Sequence, residues 1–282
     1  MEEFLRPHRV PLPHLRRLVL SGKSHSVPLL LSQIDFPTSV GISLCLESDE
    51  SFRPSWLFIP RLLPWGTEAR IPQTDGHFEQ FDLDLGYKIQ FNMTAKGDYP
   101  ALHLDIMCVP KEFDMGHLHD FLEAFYTQGY FKRVSSLTVA PQSHPVTDFR
   151  GVEKLLDLPG MHGLHKLYLS MSPCIFDLND CGNVVYLLGQ LVPASQDDHG
   201  PLKLPGLQHL VLNRRGFLGP YVSGIQAMRK FEDLLVMFFN ARRGHGFPLF
   251  QFTALPVDSA EELTRRVEQI LGHPGSDDKA KS

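Results

Sequence analysis

Leu207-Gln208-His209-Leu210-Val211-Leu212 sets an apolar residue, two polar ones, then apolar, any and apolar. The same phrase stands at Leu15-Arg16-Arg17-Leu18-Val19-Leu20, at Val134-Ser135-Ser136-Leu137-Thr138-Val139 and at Leu164-His165-Lys166-Leu167-Tyr168-Leu169. A degenerate copy, Tyr99-Pro100-Ala101-Leu102-His103-Leu104, runs on to Ile106. The alternation closing each phrase predicts a strand with one buried face. Its recurrence predicts a stack of like units.

This is the strand phrase of a leucine-rich repeat. Between copies lie helix-like stretches: Ser24 to Ile34, Met115 to Tyr130, Asp148 to Leu158, Asn183 to Val192, Gly224 to Arg243 and Ser259 to Leu271. Asp114 and Asp258 are expected as N-caps, Gly129 as a helix end, and Arg242-Arg243-Gly244 as the basic end and glycine stop of the longest helix. Further strands are expected at Val40 to Leu46 and around Phe250 and Phe252, with a hairpin from Phe81 to Met93 turning at Gly86. Prolines break the region from Ser48 to Gln80, which leaves room for one short helix near Trp56 to Leu63.

Leu137 and Leu167 are 30 residues apart, and Leu167 and Leu210 are 43 apart, too far for a tight horseshoe. The expected fold class is α/β. Residues 1–272 form an irregular leucine-rich-repeat-like solenoid, with a parallel sheet and helices on one face. Residues 273–282 form a disordered tail. The alternative is an ordinary α/β domain whose strands share the phrase.

The 282 residues are 43% hydrophobic with a formal net charge of −5. That balance lacks the basic footprint of a general nucleic-acid binder. Four scattered cysteines suit a reducing compartment. With no signal peptide and no apolar run near the ~20 residues of a membrane span, the expected location is intracellular, cytoplasmic or nuclear, without membrane association.

No catalytic, metal or cofactor site is expected. Ser21-Gly22-Lys23-Ser24 sits where a phosphate-binding loop would, but Arg17 stands where that loop needs its first glycine. A helix N-cap at Ser24 explains the run better. His117 and His119 are two apart on a helix and diverge. Cys174 and Cys181 are too widely spaced for a zinc pair. Asp82 and Asp84 read as a solvated strand face, and no Gly-x-Ser-x-Gly elbow occurs.

Residues between the repeated leucines should face away from the helices. The candidate partner-binding set is therefore Arg17, Val19, His103, Asp105, Ser136, Thr138, Lys166, Tyr168, His209 and Val211, with Tyr168 the best anchor.

Two segments carry a family likeness. One is Leu12-Pro13-His14-Leu15-Arg16-Arg17-Leu18-Val19-Leu20-Ser21-Gly22, continuing to Asp35-Phe36-Pro37. The other is Leu204-Pro205-Gly206-Leu207-Gln208-His209-Leu210-Val211-Leu212, followed by the helix ending Asn240-Ala241-Arg242-Arg243. Together they resemble the leucine-rich C-terminal region of the F-box proteins of mushroom-forming fungi. The resemblance implies a non-enzymatic protein-interaction module, the substrate-recognition part of a ubiquitin ligase adaptor. The family's F-box is not expected in this chain, since only Met1 to Val10 precede the first strand. Adaptor docking is therefore not expected, and the partner is an unidentified protein. The rival readings are a nucleotide-binding enzyme using the Ser21–Ser24 turn and a truncated product without independent function.

Overall fold

Each leucine phrase folds as a strand. In a computed structural model, which describes residues 9–47, 55–64, 78–85, 88–95, 101–107, 115–141, 150–170, 191, 203–213, 225–246, 251–255, 265 and 269, the strands run as follows. They are β1 (Val10–Pro11), β2 (Arg17–Lys23), β3 (Ile34–Asp35), β4 (Gly41–Glu47), β5 (Phe78–Leu85), β6 (Lys88–Ala95), β7 (Ala101–Met107), β8 (Ser136–Pro141), β9 (Lys166–Ser170), β10 (His209–Asn213) and β11 (Gln251–Leu255). The helices are α1 (Ser26–Leu31), α2 (Ile59–Leu62), α3 (Met115–Thr127), α4 (Arg150–Asp157) and α5 (Ile225–Gly244), with 3-10 turns at Ser55–Phe58 and Pro159–Gly163.

Nine strands form one open sheet in the order β11-β10-β9-β8-β5-β6-β7-β4-β2. All neighbours are parallel except at β6, which is antiparallel to both β5 and β7. The parallel sheet expected from the sequence is thus a mostly parallel, mixed one, its antiparallel pairs lying at the expected hairpin and its continuation into β7. Connection length explains the difference. Residues 86–87 and 96–100 are too few for a parallel crossover, which takes a dozen or more. They allow only a meander, and that meander is inserted in reverse. The chain leaps from β4 to β5, folds back through β6 to β7 beside β4, then leaps again to β8 beside β5. The two leaps touch where the Tyr130 hydroxyl donates to the Pro60 carbonyl oxygen at 3.0 Å.

Register aligns the apolar side chains in rows. Leu18, Ile42, Leu102, Met93, Phe81, Leu137, Leu167, Leu210 and Phe252 are partners across the sheet, as are Leu20, Leu44, Leu104, Phe91, Leu83, Val139, Leu169 and Leu212. Helical residues close the same core: Val27 and Leu31 of α1, Leu118, Phe121, Leu122 and Phe125 of α3, Val152, Leu155 and Leu156 of α4, and Leu235, Phe238 and Phe239 of α5. Under the meander the core changes from leucine to phenylalanine. Phe91 meets Phe121 edge-on at 4.9 Å, Phe121 meets Phe125 at 4.9 Å, and Phe81 packs on Phe131 at 5.2 Å. Edge-to-face geometry of this kind sets the negative ring face against a positive edge.

One helix departs from the sequence reading at its ends. Helix α1 is shorter than Ser24 to Ile34. His25, not Ser24, is its N-cap, and it makes no side-chain capping bond. Ser24 is buried with its N–H on the Glu47 carbonyl, at the close of the β2–β4 ladder. Beyond Leu31 the chain is claimed by β1, because Val10 and Leu12 donate to the carbonyls of Gln33 and Asp35 at 2.8 and 2.7 Å. Helix α3 ends as expected, at Gly129 with φ 81°, a left-handed turn that glycine adopts without strain.

Helix α5 ends as expected, with Arg242 and Arg243 in its last turn. The basic end of α5 is only half solvated: Arg243 is exposed, but Arg242 is fully buried. Its guanidinium donates to the carbonyls of Leu204 (2.9 Å), Leu207 (2.8 Å), Pro205 (3.3 Å) and Lys203 (3.5 Å), and lies over the Phe238 ring. This pins the loop feeding β10, where Leu204 holds a positive φ of 51°, a costly conformation for leucine. Lys203 anchors the same loop from outside, at 2.9 Å from Asp157 and 3.7 Å from Glu153.

Several expectations fall outside the described residues: the Asp114 and Asp258 caps, the Gly86 turn, most of the helices Asn183–Val192 and Ser259–Leu271, and the tail 273–282. Within those two helices Leu191 is helical and buried, and Arg265 and Gln269 are helical and exposed.

Candidate functional site

Strand alternation sends every second side chain away from the helices, and register lines these up as well. One row crosses all nine strands: Val19, Ser43, His103, Asn92, Asp82, Thr138, Tyr168, Val211 and Thr253. Nine strands at about 4.8 Å spacing make a strip roughly 40 Å long. A flanking row includes Thr94, Gln80, Ser136, Lys166, His209 and Gln251, and Arg17 lies at the same level on β2. On the other side lie Ser21, Cys45, Asp105, Gln90 and Asp84. Among the described residues, no helix covers this face.

All ten candidate residues lie on it. Arg17, Val19 and Lys166 are exposed, and His103, Asp105, Ser136, Thr138, Tyr168 and His209 are half-buried. Val211 is the exception. It is only 4% exposed although it stands outside the main core, between Tyr168 and Thr253 in the row. It is the one candidate on this face that is buried.

The polar side chains hold one another in two groups. On the meander, one His103 ring nitrogen, Nδ1, meets Asn92 Oδ1, and the other, Nε2, lies 3.3 Å from Asp105 Oδ1. Gln90 donates to the same Asp105 oxygen at 2.8 Å, and Gln80 donates to both Asp82 oxygens at 3.0 and 3.1 Å. On the C-terminal strands, Asn213 Nδ2 donates to the Tyr168 hydroxyl at 2.9 Å, and His209 Nε2 pairs with Thr253 Oγ1 at 3.0 Å. Burial, then the neighbouring Lys166 ammonium, push the His209 pKa below its usual value. These bonds fix rotamers before any partner arrives, which reduces the ordering cost of binding.

Ser43, Gln80, Asp82, Asp84, Gln90, Asn92, Asn213 and Thr253 belong to this face and were not among the candidates. Asp82 and Asp84 had shown their alternation. What sequence reasoning missed was that the reversed meander sets them in register with His103 and Asp105, one strand away across Asn92 and Gln90.

The Ser21–Ser24 run gives no phosphate cradle. Ser21, Gly22 and Lys23 are extended and paired with Cys45, Leu46 and Glu47, so their N–H groups do not converge on a point as a phosphate loop requires. Among the described residues, no three His, Cys, Asp or Glu side chains are grouped to hold a metal ion. No described helix is long and apolar enough to cross a membrane. Arg214, Arg215, Cys174 and Cys181 lie outside the described residues. Compared with protein-family models, with curated proteins and with solved structures, the chain matches none.

Proposed function

We propose that the open face of the sheet is a protein-recognition surface, and that the chain is a non-enzymatic interaction module built as an irregular leucine-rich-repeat-like solenoid. The observation that carries this reading is the row from Val19 to Thr253, aligned across nine strands and covered by no helix among the described residues. A strip roughly 40 Å long suits a protein better than a small molecule, which favours a concave pocket. Tyr168 is a rigid aromatic held by Asn213, with the exposed Lys166 two residues away on the same strand. An aromatic anchor gains most where a partner desolvates it. The resemblance to F-box proteins assigns the partner to the substrate side of a ubiquitin ligase adaptor, inside the cell.

The test pairs Lys166→Glu with Tyr168→Ala. Immobilised wild-type protein should retain a partner from lysate, and the double variant should lose it while its thermal melt stays within a few degrees. Retention of the same partner by a folded double variant would remove the open face as the binding site.

A further inference from the structure

We propose that the free edge of β2 accepts an extended acidic segment of another protein as a tenth strand of the sheet. This edge shares Arg17 and Val19 with the open face but offers their backbone groups, and it does not depend on that reading.

Among the described residues this edge is unpaired. In a parallel ladder a residue's N–H and C=O point to the same neighbour, and successive residues alternate sides. Gly41 donates to the Arg16 carbonyl and Ser24 donates to Glu47, so the even-numbered residues of β2 face β4. Arg17, Val19 and Ser21 therefore turn their backbone groups outward, and among the described residues β2 pairs with β4 alone. Such a row is a template for strand addition.

The edge is also apolar and incompletely covered. Leu18 and Leu20 are half-buried, while their register partners Ile42 and Leu44 are buried. Val19 is 59% exposed, and Val10, Leu12, Leu29 and Leu30, close to β2 in sequence, are exposed as well. An added strand with apolar residues at alternate positions would extend the two core rows by one strand and complete the cover of Leu18 and Leu20.

Charge selects the occupant. From Arg9 to Ile34 the chain carries Arg9, Arg16, Arg17 and Lys23 and no acidic residue, in a protein whose formal net charge is −5. Arg9, Arg16 and Arg17 are exposed. Lys23 lies opposite Glu47, so the unbalanced charge sits at the Arg16–Arg17 end. These cations disfavour a second copy of β2, which would bring arginines and lysine together, and favour carboxylates placed between the apolar positions of an incoming strand.

The experiment is fluorescence anisotropy of the full chain with a labelled, capped seven-residue peptide alternating aspartate and valine. Saturable binding is expected at low salt, weakened at least about tenfold by Arg17→Glu and by moving from about 0.05 to 0.5 M salt. A serine–valine peptide should bind about tenfold more weakly. Val19→Pro removes an outward N–H without touching the β4 ladder and should abolish binding. If that variant does not fold, an N-methylated peptide gives the same test from the ligand side. The Lys166→Glu, Tyr168→Ala variant should bind the peptide as the wild type does, which separates this site from the open face. No saturable binding, binding indifferent to Val19→Pro and to N-methylation, or a β2-dependent dimer of the chain in sedimentation that excludes the peptide would each overturn the proposal.

Discussion

Replacing Arg242 by alanine should unfasten the loop that delivers β10. The guanidinium is fully buried and gives two short bonds, to Leu204 and Leu207, and two longer ones. Burial holds its pKa down to about 10, a desolvation cost of about 3 kcal/mol that truncation would return. Against that, each short charge-assisted bond contributes about 1.5–3 kcal/mol, and each buried carbonyl left without a donor costs about 1–3 kcal/mol. The net loss should be about 4 kcal/mol, in the range for removing one partner of a buried charged interaction. Arg242→Lys keeps the charge but not the planar fork, and should lose about half as much. Urea titration measures both, and an unchanged slope shows that the unfolded state is not altered. The pH dependence has a definite sign. A folded pKa lowered below the unfolded value means that the unfolded chain binds the extra proton between the two values. Stability from this group therefore rises only above about pH 10 and is flat from pH 6 to 9. A loss under about 1 kcal/mol for Arg242→Ala would refute the claim that this side chain holds the strained Leu204 turn.

Two further outcomes test the same construction. Gly206→Ala would place a methyl group 2.6 Å from the His162 carbonyl oxygen, so it should cost at least about 2 kcal/mol; an unchanged melting temperature would show that the turn Pro159–Gly163 can retreat. For His209, Lys166→Met should raise the ring's pKa toward its usual value, leaving only the shift from burial, as followed by NMR titration. Because the folded value is lowered, this group makes the wild type lose stability as pH falls through 6.5, and the variant should lose less. An unmoved titration would mean that the ammonium does not act on the ring.

Local pattern was readable where the chain obeys a local rule. Leu137, Leu167 and Leu210 announced three adjacent parallel strands because alternation at period two is a property of a few consecutive residues. The ten candidate face residues followed from the same parity. Strand order did not. Nothing within Phe78–Met107 states that β7, not β5, pairs with β4, since that choice is settled by contacts far apart in sequence. The Phe91–Phe121–Phe125 cluster was hidden for the same reason: the strands that meet α3 depend on the insertion of the meander. The burial of Arg242 was not legible, because a basic residue before a helix-ending glycine satisfies the helix dipole whether or not it is exposed. The half-buried Leu18 and Leu20 look identical in sequence to their buried counterparts, and only their place at the sheet's margin separates them.

The doubled-back meander has a consequence for how the chain can be divided. An array that grows by simple stacking can be trimmed from either end, one module at a time. Here no cut between Glu47 and Ser136 leaves two finished pieces, because β4 waits for β7 and β5 for β8. That stretch must therefore be gained or lost as a single block, whereas the strands after β8 can be shed in turn.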